Sequence, residues 1–159
     1  MKIQQVKLSE VVEIAPLFDA YRQFYEQPSD VLLAESYLKK RVENDNCIIF
    51  AARADTGNLI GFTLLYPTFC SLAAQPAWIL YDLFVDAQMR RKGVAQKLLM
   101  TAQAFALESG AVWLRLETAA TNTLGQKLYE KLGWERDADF YSYFFHLSIS
   151  DKNKKLGPV

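Results

Sequence analysis

Apolar positions along this chain recur with two different periods. Val11, Val12, Ile14, Ala15, Leu17, Phe18, Tyr21, Phe24 and Tyr25 fall at helical spacing, and Ser9 stands ahead of them as an N-cap. Gln27-Pro28-Ser29 interrupts that pattern. Ser29 then caps a second predicted helix with the stripe Leu32, Leu33, Tyr37, Leu38 and Val42, while Lys39, Lys40 and Arg41 suit its C-terminal dipole. A third helix is expected from about Gly93 to Glu108, with Leu98, Leu99, Ala102, Phe105 and Ala106 on one side and Ser109-Gly110 as its stop. A fourth, shorter helix runs from Asn122 to Leu132 and is closed by Gly133. The other apolar runs read as strands: Ile3–Leu8, Cys47–Ala54, Leu59–Phe69, Ala77–Val85, Val112–Glu117 and Phe140–Ile149. Asp55-Thr56-Gly57-Asn58 is a hairpin connection between the second and third.

The resulting order is β-α-α-β-β-β-α-β-α-β. Hairpin-linked strands in the middle and crossover helices afterwards imply an α/β fold with a mixed six- to seven-stranded sheet and helices on both faces. No repeat or linker interrupts the pattern. Residues 1–149 read as a single domain and residues 150–159 as a charged, flexible tail.

Composition narrows the function classes. Of the 159 residues 51% are hydrophobic, enough for a substantial core. Lys plus Arg and Asp plus Glu are 18 each, so the chain lacks the broad basic field of a nucleic-acid binder. Cys47 and Cys70 sit apart in apolar runs, and the sole histidine, His146, lies in an aromatic run, which argues against a metal site or a Cys-His nucleophile. The N-terminus shows no signal-peptide pattern, and no segment approaches the ~20 apolar residues of a membrane helix. A cytoplasmic protein without membrane partners is expected.

The candidate chemistry lies in Leu80 to Leu99, where a very apolar strand runs through a cationic turn into a helix. Unpaired N–H groups at a helix start favour anions. Arg90, Arg91 and Lys92 add positive charge where the helix dipole disfavours it, a local conflict that an anionic ligand resolves. Gly93 and Ala95 lack bulk, so a phosphate can approach the backbone. The stretch reads as a pyrophosphate cradle, although a solvated basic helix start has the same composition. No G-x-x-x-x-G-K-[ST] is present, which disfavours a nucleotide-phosphate loop.

Arg90-Arg91-Lys92-Gly93-Val94-Ala95 resembles the Q/R-x-x-G-x-G/A signature of motif A in the GNAT superfamily of N-acetyltransferases, with Arg91 where many members carry Gly. Asn122-Thr123-Leu124-Gly125-Gln126-Lys127-Leu128-Tyr129, followed by Gly133-Trp134, resembles motif B, with Gly125 in place of the usual Ala. Gly there weakens a helix by roughly 1 kcal/mol unless something packs closely on it. Tyr66-Pro67-Thr68-Phe69 and Trp78–Val85 are similar to the branch of diamine and yeast histone/polyamine acetyltransferases.

The resemblance implies an acyltransferase that moves the acetyl group of acetyl-CoA onto a primary amine by direct attack in a ternary complex, with no metal. The amine is a polyamine, an amino acid, an aminoglycoside-like amine or a protein lysine. It assigns Leu83, Phe84 and Val85 to the pantetheine arm, Arg90, Arg91, Lys92, Gly93, Val94, Ala95 and Gln96 to the pyrophosphate, and Asn122 to the pantetheine near its helix. Tyr129, seven residues after Asn122, is the expected general acid, the other reading being packing with Leu124, Leu128 and Leu132. Asp82 is the candidate for binding or deprotonating the amine, or else a structural carboxylate. In a regular strand it faces away from Tyr81, and a bulge is needed to re-aim it. Glu117 is the reserve base. Tyr21, Tyr25, Glu26, Tyr66 and Phe69 are placed around the acceptor, since aromatics with a carboxylate suit a cation. A non-catalytic acyl-CoA sensor is the competing class, and the aromatic run from Phe140 to Leu147 offers a strand for a homodimer.

Overall fold

The computed structural model describes residues 1–145 and Leu147; the expected tail and His146 lie outside the described residues. Two compact units emerge, one from Met1 to Leu116 and a second beginning at Glu117.

The first unit holds a five-stranded sheet in the order β1-β2-β3-β4-β5, built from β1 (Lys2–Gln5), β2 (Ile48–Arg53), β3 (Leu59–Cys70), β4 (Gln75–Val85) and β5 (Leu114–Arg115). β1 to β4 pair antiparallel with their neighbours, and β4 pairs with β5 in parallel. This is the mixed α/β sheet that the pattern predicts. The strand expected at Phe140–Ile149 does not form over Phe140–Phe145. Those rings are largely exposed, so the run gains little of the burial that favours a strand.

Three helices clothe this sheet: α1 (Val11–Phe24), α2 (Val31–Glu43) and α3 (Val94–Glu108). Alternation along β3 sorts the two sides. Phe62 meets Phe18 and Tyr21 of α1, whereas a side chain at Gly61 would collide with the Phe84 carbonyl oxygen and press on Val94 and Leu98 of α3. Glycine thus lets α3 pack directly on the sheet. Ile14, Leu38, Phe62, Leu64, Leu98 and Leu99 are fully buried and form the centre of the core.

Two caps differ from the expected ones. α1 is preceded by a 3-10 turn over Leu8–Glu10 and lacks a side-chain cap, so Ser9 does not serve. Asp30 caps α2 by accepting from the Leu33 N–H, and the Ser29 hydroxyl instead donates to Asp19. Asp19 is 2% exposed and gathers donors from Gln23, Ser29, Arg22 and the Asp30 backbone. Burial alone raises its pKa, but those donors hold it below the ordinary carboxylate value. The clasp fixes the end of α1, where Tyr21 and Tyr25 sit.

In the second unit, α4 (Thr123–Lys131) is the one regular element among the described residues, and it has no fully buried side chain. No described helix is long and apolar enough to cross a membrane.

Candidate active site

β4 carries a break in register that decides where its acidic residue points. Leu65 pairs with Leu80 and Leu64 with Asp82, so Tyr81 is the extra residue of a β-bulge. In an unbroken strand Tyr81 and Asp82 face opposite ways. Here the Tyr81 ring lies 5.2 Å from that of Tyr66, and the Asp82 side chain receives a hydrogen bond from the Tyr21 hydroxyl of α1. Both therefore serve the α1 face. The bulge lets these two neighbours share one face.

Asp82 is 4% exposed. Removal from water pushes its pKa up to about 6, and the hydrogen bond from Tyr21 offsets part of the rise. At neutral pH it is mostly ionised but close enough to exchange a proton readily. The Tyr21 phenol moves up as well, through burial and the neighbouring Asp82 charge, and remains protonated. The second half of the site wall is aromatic. Tyr25 and Phe84 pack edge-on against Tyr21, at 5.2 and 6.0 Å, and the Tyr66 and Tyr37 hydroxyls share a hydrogen bond.

Of the residues assigned to the acceptor, Tyr21, Tyr25 and Tyr66 thus gather around Asp82. Glu26 is exposed in the turn after α1, and Phe69 is 80% exposed near the far end of β3. Tyr37 and Tyr81 belong to the cluster but were not anticipated. Tyr37 looks like any core residue of the α2 stripe, and Tyr81 enters only through the bulge.

On its other edge, β4 is open. The pairing with β5 covers only Trp78 and Ile79, so Asp82 to Val85 has no strand partner on that side among the described residues. Leu83, Phe84 and Val85, assigned to the pantetheine arm, lie on this stretch. Past Val85 the chain makes a 3-10 turn over Ala87–Met89 and reaches α3. The first helical bond runs from the Lys97 N–H to the Gly93 carbonyl at 3.1 Å, which leaves the amides of Val94, Ala95 and Gln96 ahead of the ladder. Among the described residues no side chain caps them. Gly93 takes φ 78°, and a side chain there would meet nothing within 4 Å, so the approach is clear.

Arg91 adopts φ 60°, a conformation that favours the glycine many relatives have there. Keeping arginine costs roughly 1–2 kcal/mol of backbone strain. Its side chain and that of Lys92 are exposed beside the uncapped amides. Arg90 behaves differently. Its Nε donates to the Val85 carbonyl at 3.1 Å, and its guanidinium lies over the rings of Phe24 and Phe84. It braces the turn against the end of α1, a role not visible in the hexapeptide. Val94 is buried against Gly61, so it can offer a ligand only its N–H.

In the second unit, Asn122 caps α4. Its Oδ1 accepts from the Gly125 N–H at 3.1 Å, and its Nδ2 donates to the Thr118 hydroxyl at 3.0 Å. A methyl group at position 125 would stand 2.5 Å from Nδ2. The packing that excuses a glycine in this helix is the cap itself. Tyr129 is half-buried, with its ring 6.2 Å from that of Trp134. Burial raises its pKa, Thr118 opposes the rise, and the phenol stays protonated at neutral pH. Glu117 lies beyond the end of β5, not on it, and accepts from the Ser142 hydroxyl at 3.1 Å.

Comparison with known proteins bears on the family of the chain. The chain is 45% identical over 143 residues to an uncharacterized N-acetyltransferase, YhfO, of Bacillus subtilis, covering 90% of this chain and 95% of that one. The crystal structure of a probable acetyltransferase, 38% identical, superposes with a TM-score of 0.88 over 93% of this chain and 99% of that chain. A ribosomal-protein-alanine N-acetyltransferase of Brucella melitensis, 27% identical, superposes with a TM-score of 0.75 over 92% and 99%. Residues 13–134 match the model of the acetyltransferase (GNAT) family, and the chain belongs to that family.

Proposed function

We propose that this acetyltransferase takes its acetyl group from acetyl-CoA and passes it to a primary amine by direct attack. The observation that carries the reading is the continuity of β4 with the start of α3. A strand edge from Asp82 to Val85, without a strand partner among the described residues, leads to uncapped amides at Val94, Ala95 and Gln96 beside two exposed cations. The edge suits the amide-bearing pantetheine arm, and the helix start suits a diphosphate. When bound, acetyl-CoA supplies the electrophilic thioester carbon and a thiolate leaving group.

The acceptor reaches the enzyme mainly as an ammonium ion. Asp82 first balances that charge and then takes one proton from nitrogen, freeing the lone pair for attack. Tyr129 gives its phenolic proton to the departing sulfur; positioned acids of this kind contribute typically ~10²–10⁴ in rate. The tyrosines around Asp82 favour a small alkyl cation such as a polyamine, in keeping with the diamine-like stretch Trp78–Val85. The alanine amine named for the Brucella relative is an acceptor of the same chemistry.

Tyr129→Phe tests the reading. The variant is expected to lose at least ~10²-fold in kcat while calorimetric acetyl-CoA affinity stays within about twofold. Full turnover in that variant removes Tyr129 as the acid. Acetyl-CoA binding without turnover on any amine class by the unaltered protein favours a sensor module.

A further inference from the structure

We propose that Tyr21 is a positioning residue for the acid–base chemistry of Asp82: its buried hydroxyl occupies Oδ1 and directs Oδ2 to the amine proton. This inference rests on the reading of Asp82 as the base and adds the residue that orients it.

The two side chains are 61 positions apart, and the Tyr21 O–H donates to Asp82 Oδ1 in a buried hydrogen bond. Both ends are rigid. The Tyr21 ring is packed by Phe18, Tyr25, Phe62 and Phe84, with centroids 5.2–6.0 Å away. The Asp82 backbone is held by the bulge and by the Thr63 hydroxyl, which donates to its carbonyl at 2.9 Å. With its backbone held, the carboxylate can still turn about χ1 and χ2, and the bond from the phenol to Oδ1 restrains both. Among the described residues no hydrogen bond reaches Oδ2. In the proton transfer the ammonium N–H breaks, an O–H forms at Oδ2, and the electron pair stays on nitrogen. The Tyr21 proton does not move, because its phenol is held far above neutrality.

The bond also sets when Asp82 is ready. It stabilises the ionised form and partly cancels the penalty of burial. The other titratable groups facing the site are Tyr21 and Tyr25 from α1, Tyr66 from β3, Tyr81 from β4 and Cys47 ahead of β2, with Tyr37 and Arg41 of α2 behind them. Burial lifts Cys47 to about 11 and Tyr66 higher still. Among Asp82, Tyr21, Cys47 and Tyr66, Asp82 is therefore the one that changes charge near neutrality.

The test is the pH dependence of kcat/KM in Tyr21→Phe, which keeps the ring and deletes the donor. The acid limb, set by ionisation of Asp82, is expected to move upward by about one pH unit, the equivalent of one charge-assisted hydrogen bond. Acetyl-CoA affinity should not change. A role in packing alone leaves the limb in place and overturns the proposal. Installing 3-fluorotyrosine at position 21 covers the case in which the phenylalanine variant does not fold: a stronger donor moves the limb downward, and an unmoved limb overturns the proposal. Asp82→Asn separates the two ideas. If turnover and the acid limb survive in that variant, Asp82 is not the base and the earlier reading fails. If turnover is lost there while Tyr21→Phe keeps the limb of the unaltered enzyme, only the positioning role fails.

Discussion

The starts of α3 and α4 are both glycine-containing helix openings, and they are built to opposite ends. At α3 the N-cap is Gly93, in a left-handed conformation with no side chain to offer, and the first amides are left free. At α4 the N-cap is Asn122, whose carboxamide satisfies the Gly125 amide and ties itself to Thr118. Each contains a glycine for a different reason. Gly93 keeps the space in front of the helix open, whereas Gly125 makes room for a cap that fills it. One helix start is thereby left open and the other is closed by the chain itself.

The largest effect expected from this contrast is on cofactor binding. Replacing Arg91 and Lys92 together by alanine should weaken acetyl-CoA binding by about tenfold or more, the loss of two exposed charges near a diphosphate. The effect should shrink as salt is raised. Calorimetry at two ionic strengths reads both. Unchanged affinity would mean that the open helix start is not the anion site.

Next comes the closed start. Asn122→Ala removes the cap and should cost about 1 kcal/mol, seen as a fall in Tm of roughly 2–4 °C. If Asn122 acts only as a cap, acetyl-CoA affinity stays the same. A tenfold loss would show that it also bonds the cofactor and would blur the contrast between the helices.

The smallest effect is expected for Gly125→Ala. Better helix propensity contributes about 1 kcal/mol, and displacement of the Asn122 carboxamide takes a similar amount away. Tm should therefore change little. In the Asn122→Ala background, where nothing obstructs the new methyl group, the same substitution should raise Tm. Thermal melts of the double-mutant cycle check this, and additive changes would contradict the packing argument.

Much of this architecture was legible before any coordinates. The helices at Val11–Phe24, Val31–Glu43, Val94–Glu108 and Thr123–Lys131 follow from apolar spacing and from glycine or polar ends. The cationic turn before α3 was visible because it breaks a local electrostatic rule. Both kinds of signal arise between residues a few positions apart, so sequence displays them directly. Ser29 is a plausible cap that loses to Asp30 one position away, and Ser9 falls inside a 3-10 turn before α1, since cap choice depends on the path of the incoming chain.

What tertiary structure alone decided is the direction of the chemistry. Asp82 and Tyr81 both face α1 only because β4 slips by one residue against β3 at Tyr81, and a slip exists only relative to a partner strand. Tyr21 becomes its partner only when α1 packs across that face, closing a 61-residue separation. The open edge of β4 likewise depends on β5 ceasing to pair after Arg115. Local periodicity determines which elements form, because it is written in neighbouring side chains. Register, burial and partnership between distant elements are properties of the packed chain, and they turn an ordinary strand aspartate into a candidate base.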